Sequence, residues 1–209
     1  MGGVGWGDYI YVTSGYTISM FNPDDVIESD KGYIMPQAAE WQITPRTKSM
    51  GRVASGASIN RSQGRDQLVT VGYGSGKGYI YRWDLGEDGL PMTRPSKDKS
   101  RVDMVSDQIQ KGKIITNATT EDFYAATHLQ GVSSAGNKTY ATSSHTKVSN
   151  SNDADVLFVK TGNDDPRGYR MPGPNIEASY YDYQTDELVV NNEHGSQFMY
   201  KIPLAELPN

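Results

Sequence analysis

Along the chain, β-branched and aromatic residues gather in short runs: Tyr9-Ile10-Tyr11-Val12, Gln67-Leu68-Val69-Thr70-Val71, Tyr79-Ile80-Tyr81-Arg82-Trp83, Val156-Leu157-Phe158-Val159 and Leu188-Val189-Val190. Each is about five residues long and runs into Gly, Asn, Asp or Pro, the signature of a strand and its turn. No window of about 12 residues keeps apolar side chains at i, i+3, i+4 and i+7 without a Gly or Pro interruption. The pattern predicts an all-β fold.

The runs recur in a fixed order. One unit opens at Gly2-Gly3-Val4-Gly5-Trp6 and continues through 8–13 and 16–21. A second opens at Met50-Gly51-Arg52-Val53 and continues through 67–72 and 78–85. A third opens at Gln130-Gly131-Val132-Ser133, followed by 139–143 and 155–160, and a fourth at Ile176-Glu177-Ala178-Ser179, followed by 187–192 and 197–204. Each reads as a small-residue strand, an apolar strand, a hairpin and an aromatic strand, which is the layout of a propeller blade. With Gly2, Met50, Gln130 and Glu177 as equivalent positions, the intervals are roughly 48, 80 and 47 residues, against a blade repeat of about 40–50. The long interval holds one blade with an insertion or two short blades; the second option gives a β-propeller of about five blades, four of them recognisable. Segment 91–126 is the ambiguous part. The alternative fold is a β-sandwich, which short strands of this kind also suit.

The last unit stops at Pro203-Leu204 after about three strands. A propeller ring normally closes by pairing an N-terminal strand into its last blade, because an open edge invites association. The expectation is therefore a single β-propeller domain over 1–209 that either lacks an N-terminal segment or closes with three-stranded blades. The opening residues carry no charged region followed by an apolar one, so they do not read as a signal peptide.

Composition narrows the function. The 209 residues are ample for a core, and no stretch approaches the ~18 apolar residues of a membrane span. A formal net charge of -5 without a basic cluster argues against a nucleic-acid partner. The absence of Cys excludes disulfide scaffolds, thiolate metal sites and cysteine nucleophiles.

The segment 2–12 followed by Ile18-Ser19-Met20-Phe21 resembles the "GGV-W…DYLYVA…L-VFD" opening of a family of secreted, uncharacterised β-propeller-like proteins common in actinobacteria. The likeness continues at Gln130-Gly131-Val132, at 177–182 and at Asp186-Glu187-Leu188, where the family pattern is "QGV" and "P-E-D-L-YD-…D-LW". It spans most of the chain. The family's Glu-Asp pair reads Glu177-Ala178 here, so no role for that Asp carries over. The resemblance implies a secreted, extracellular propeller and transfers no activity.

Candidate chemistry is sparse. The segment Gly72-Tyr73-Gly74-Ser75-Gly76-Lys77-Gly78 lacks the Walker A pattern at both ends, since positions 71 and 78 are Val and Gly, and it reads as a Gly-rich hairpin. No Gly-x-Ser-x-Gly elbow leads from a strand into a helix. Asp153, Asp155 and Asn163-Asp164-Asp165 fail the EF-hand pattern and read as turn caps.

The three histidines are His128, His145 and His194. In a propeller, the ends of inner strands meet at one face, and His128, Gln130, Glu177, Glu193 and His194 sit near such ends. The catalytic candidates are Glu177, His128 and His194, able to pair acid with base or to hold a divalent metal. The ligand-binding candidates are Gln130, Glu193, Tyr180 and Trp6, because Tyr and Trp offer an apolar face with a polar edge to sugars and proteins. The structural alternative is that Gln130 and Glu177 bond neighbouring backbone and the aromatic residues serve strands. The expectation is a secreted or cell-surface module that binds a carbohydrate or protein and needs no cofactor. The alternative is a hydrolase or lyase acting on an extracellular polymer. The open last blade suggests a route to oligomers.

Overall fold

The computed structural model describes residues 2–15, 17–43, 52–61, 66–73, 78–86, 113–115, 119–123, 128–146, 154–171, 176–192 and 199–207. The chain runs β1 (Gly2–Trp6), β2 (Tyr9–Ser14), β3 (Thr17–Phe21), β4 (Ile27–Ser29), β5 (Gly32–Ile34) and β6 (Gln37–Ile43). It continues through β7 (Arg52–Asn60), β8 (Gln67–Tyr73), β9 (Gly78–Asp84), β10 (Lys113–Ile115) and β11 (Thr119–Phe123). The second half holds β12 (Leu129–Ala135), β13 (Lys138–Thr146), β14 (Ala154–Thr161), β15 (Arg167–Arg170), β16 (Ile176–Asp182), β17 (Glu187–Asn192) and β18 (Met199–Pro203).

These strands form four small sheets and one hairpin. The orders are β1-β2-β3-β6-β10, β11-β9-β8-β7, β12-β13-β14-β15 and β16-β17-β18, with β4-β5 apart. Every pairing is antiparallel except β10 on β6. Tight turns set the registers: Gly7 and Gly136 adopt φ of 54° and 60°, the left-handed region that glycine enters without penalty, at the hairpins joining β1 to β2 and β12 to β13.

The sheets stack as layers, and the apolar pattern explains why. Leu68 on β8 joins a core with Tyr11, Ile18, Met20 and Trp41 of the first sheet. Its neighbours Val69 and Val71 join a second core with Val132, Ala141 and Phe158 of the third sheet. Side chains alternate across a strand, so β8 must be apolar on both faces to serve two cores. β14 behaves alike: Val156 and Phe158 point to the second core, whereas Leu157 and Val159 meet Ile176, Leu188 and Val190 of the fourth sheet in a third core. The first and fourth sheets bury one face each, and β2 and β17 accordingly alternate between buried and less buried positions.

The first strands of the sheets lie side by side, β1 against β7, β7 against β12 and β12 against β16. They run in the same direction. Gly56 lies beside Gln130, and farther along, the carbonyls of Ile59 and Ser134 meet at one hydroxyl. Gly56 and Gly131 make this approach feasible: a Cβ on Gly131 would sit 2.6 Å from the Ser179 nitrogen and 2.8 Å from the Ala178 Cα.

Of segment 91–126, residues 113–115 and 119–123 are described: β10 adds to the edge of the first sheet and β11 to the edge of the second, and the remainder, on which the blade count turns, lies outside the described residues. One sequence expectation changes here. Asp155, read as a turn cap, lies buried in β14, where its Oδ2 accepts the Ile176 N–H at 3.1 Å and ties the third sheet to the fourth.

Candidate functional site

Where the first strands converge, a cavity of about 1070 Å³ opens. It is lined by residues 3–5 of β1, 55–57 of β7, 130–132 of β12 and 177–180 of β16, with Tyr73, Val189, Asn191 and Met199 around them. Every sheet contributes. The glycines at 3, 5, 56 and 131 leave room, and polar groups enter from Gln130, Glu177, Ser179 and Asn191.

Gln130 and Glu177 reach the cavity by the same device. On β12, Leu129 pairs with Ser143 and Gly131 with Thr142, so Gln130 is an extra residue in a bulge. On β16, Ile176 pairs with Asn192 and Ala178 with Asn191, so Glu177 is the extra residue of a second bulge. A bulge breaks the strict alternation of a strand and re-aims a side chain. Thr142, fully buried, couples the two: its Oγ1 accepts the Gly131 N–H at 2.9 Å and donates to the Glu177 carbonyl at 3.1 Å. The Gln130 Nε2 donates to the Ser144 hydroxyl, which orients that amide. Asn191 accepts the Ala178 N–H at 3.0 Å through Oδ1, satisfying a donor that the second bulge displaces from the ladder.

The walls differ in character. Tyr180 and Met199 are 55% and 68% exposed and form an apolar side on the open face of the fourth sheet. Facing residues 3 and 5 are glycines, which present backbone only.

His128 stands immediately before β12 with φ of 52°, a left-handed conformation that costs a non-glycine residue strain. Its ring meets Tyr73, a cavity residue, edge to face at 5.2 Å, and its Nδ1 is buried with no hydrogen-bond partner among the described residues. The structure therefore brings Gln130, Glu177 and Tyr180 together at the cavity, with His128 against its Tyr73 rim. Glu193 and His194 lie outside the described residues, as does the side chain of His145. Among the described residues no three His, Asp or Glu side chains converge as metal ligands.

Trp6 goes elsewhere. The Arg61 guanidinium lies 4.5 Å from the Trp6 ring centre and 5.2 Å from that of Tyr183. The Tyr183 hydroxyl accepts the Arg61 N–H and stands 3.2 Å from both the Ile59 and Ser134 carbonyls, donating to one at a time. This clamp caps the C-terminal ends of β1, β7, β12 and β16, while the two bulges lie near the N-terminal ends of β12 and β16. Sequence reasoning missed Thr142, Asn191, Arg61 and Tyr183 as hub residues. Only the position of Tyr183 just past a unit's first strand hinted at its place.

What the fold defines is an all-β protein of several small antiparallel sheets. No family model matches the chain, and no curated protein matches it. Among solved structures it is similar to the computationally designed Ika4 protein, at 8% identity and a TM-score of 0.43, over 96% of this chain and 89% of that one. It is also similar to Drosophila Plexin A in complex with Semaphorin 1b, at 10% identity and a TM-score of 0.42, over 97% of this chain and 54% of that one. No helix among the described residues is long and apolar enough to cross a membrane.

Proposed function

We propose that the protein is a secreted or cell-surface, propeller-like binding module whose hub cavity takes a carbohydrate. The observation that carries this reading is the pair of bulges that deliver Gln130 and Glu177 to one cavity beside the exposed Tyr180. Sugars present hydroxyls at their edge and C–H groups on their face. An amide, a carboxylate and an exposed aromatic ring match both. The propeller reading rests on four sheets whose first strands gather at a hub.

The rival reading is a hydrolase or lyase on an extracellular polymer. It would pair Glu177 at the cavity with His128, whose ring meets Tyr73 of the lining, or with His194, which lies outside the described residues.

The test is calorimetric titration with a panel of neutral and charged oligosaccharides. The binding reading expects saturable binding that Gln130→Ala and Tyr180→Ala each weaken about tenfold or more, with the thermal midpoint held. Absence of binding across the panel, or unchanged affinity in both variants, refutes it. Release of reducing ends over hours would establish the enzyme reading instead.

A further inference from the structure

We infer that copies of this chain associate head to tail, the β4–β5 hairpin of one copy docking along β15, the edge strand of the third sheet, in the next. The inference does not depend on the carbohydrate reading, because the residues concerned lie apart from the lining of the hub cavity. The hairpin sits in the connection between β3 and β6 as a two-stranded sheet of its own. Residues 23–28 and 30–34 are all exposed. Ile27 and Ile34 pair across the hairpin at 55% and 52% exposure, and Tyr33, opposite Glu28, is 78% exposed. Side chains alternate along a strand, so the two isoleucines share one face and Tyr33 lies on the other. A two-stranded hairpin is marginal by itself in water, and one that is apolar on both faces gains by joining a larger sheet. Its charge selects which one: Asp24, Asp25, Glu28 and Asp30 outweigh Lys31, the one cation within 24–34.

β15 matches the hairpin in sign and in spacing. It is the last strand in the order β12-β13-β14-β15, and Arg167, Gly168 and Arg170 are exposed. Asp25 and Glu28 stand three residues apart, as do Arg167 and Arg170, with Val26-Ile27 inside the first pair and Gly168-Tyr169 inside the second. The match holds in either direction. Laid antiparallel, Glu28 meets Arg167, Ile27 meets Gly168, Val26 meets Tyr169 and Asp25 meets Arg170. Residues opposite each other on paired strands share a face, so each acid reaches its base. Val26 is already extended, at φ -63° and ψ 128°, and 42% exposed. Tyr169 packs against the third core, and Val26 beside it would extend that cluster. Charges on an edge strand ordinarily keep it from pairing with its own kind. Here the arginines repel a second β15 and favour the acidic hairpin. A contact this short belongs to the weak, transient class, below about 1,200 Å². Because two different surfaces meet, it builds chains or rings rather than a closed two-fold dimer.

The experiment is sedimentation equilibrium of the full chain from about 10 μM to about 1 mM, the range in which weak interfaces associate. The average mass should rise with concentration and fall back at about 1 M salt, where the screening length shrinks to about 3 Å. Two charge-reversed proteins decide the pairing: Asp25→Arg with Glu28→Arg, and separately Arg167→Glu with Arg170→Glu. Each alone carries hairpin and edge of like sign and should be monomeric, with its thermal midpoint held. Mixing the two should restore association, because each hairpin again meets an edge of opposite sign. Should the arginine variant fold poorly, Ile27→Asp, at an exposed position, must still weaken association by about tenfold or more. A wild type that stays monomeric throughout, association that survives both reversals, or folded variants that fail to associate when mixed overturns the inference. Association lost on Lys201→Glu in β18 but kept in the hairpin variants would place the interface on the fourth sheet and overturn it as well.

Discussion

A methyl group built on Gly56 would land on the carbonyl oxygen of Gln130, with the Gln130 carbonyl carbon 3.1 Å and the Gly131 Cα 3.2 Å away. The obstacle is backbone, which cannot rotate aside like a side chain, so β7 and β12 can lie this close only with glycine at 56. Gly56→Ala is expected to cost about 2–3 kcal/mol of stability, with Gly131→Ala similar, through overpacking at the hub. Gly3→Ala is the control, since its Cβ would meet the Tyr11 carbonyl at an ordinary 3.5 Å. Urea denaturation of the three variants checks this; equal stability of Gly56→Ala and Gly3→Ala would show that β7 and β12 do not meet as described.

Thr142 links the two bulges, so its hydroxyl should matter to both stability and binding. Thr142→Val keeps the shape but leaves the Gly131 N–H and the Glu177 carbonyl without their partner. A cost of about 1–3 kcal/mol follows, together with weaker saccharide affinity as Glu177 loses its anchor. Thr142→Ser retains the hydroxyl and should recover most of both. If Val and Ser behave alike in denaturation and titration, the relay through Thr142 has no energetic weight.

The all-β class was legible in the sequence because it depends on a local property: runs such as Leu68-Val69-Thr70-Val71 are short, rich in β-branched residues and bounded by turn residues, whereas the two cores that this strand serves were not read from it. β6 was not legible: Gln-Ala-Ala-Glu-Trp-Gln-Ile has weak strand propensity, and its pairing with β3 and β10 supplies what the residues do not. Gln130 and Glu177 stood out as candidates because they begin units. The bulges that aim them were invisible, since a bulge is a mismatch between two strands and neither strand records it alone. Trp6 was chosen for its sugar-binding character, but an aromatic ring also suits a guanidinium, and which of the two it meets depends on Arg61, distant in the chain.

The clamp at the opposite end offers a separable pair of variants. Tyr183→Phe removes the hydroxyl that joins Arg61 to the ends of β7 and β12, at an expected cost of about 1–2 kcal/mol. Arg61→Ala removes both ring contacts, each worth about 0.5–1 kcal/mol at an exposed site, while the backbone N–H remains. Because the two changes act on one network, the double variant should lose less than the sum. Additive losses in a double-mutant cycle would mean that the hydroxyl and the guanidinium act independently.

Alkaline pH should find a weakness at Tyr140. Burial, aided by the negative charge of Asp186, pushes its hydroxyl from 10.0 up to about 12. The folded state therefore holds this proton more tightly than the unfolded chain does. The associated stability is fully present below pH 10 and drains away between pH 10 and about 12, where ionisation favours unfolding. The same hydroxyl is buried without a hydrogen-bond partner among the described residues, a desolvation cost that Phe would not carry. Tyr140→Phe is thus expected to be as stable as the wild type or up to about 1 kcal/mol more stable at neutral pH. It should also be flatter in thermal midpoint across the alkaline range. Tyr181, raised to about 12 by partial burial and its hydrogen bond to Asp186, stays in place in that variant, so a residual slope is expected. A Tyr140→Phe protein that loses several kcal/mol at neutral pH would mean that the hydroxyl has a partner.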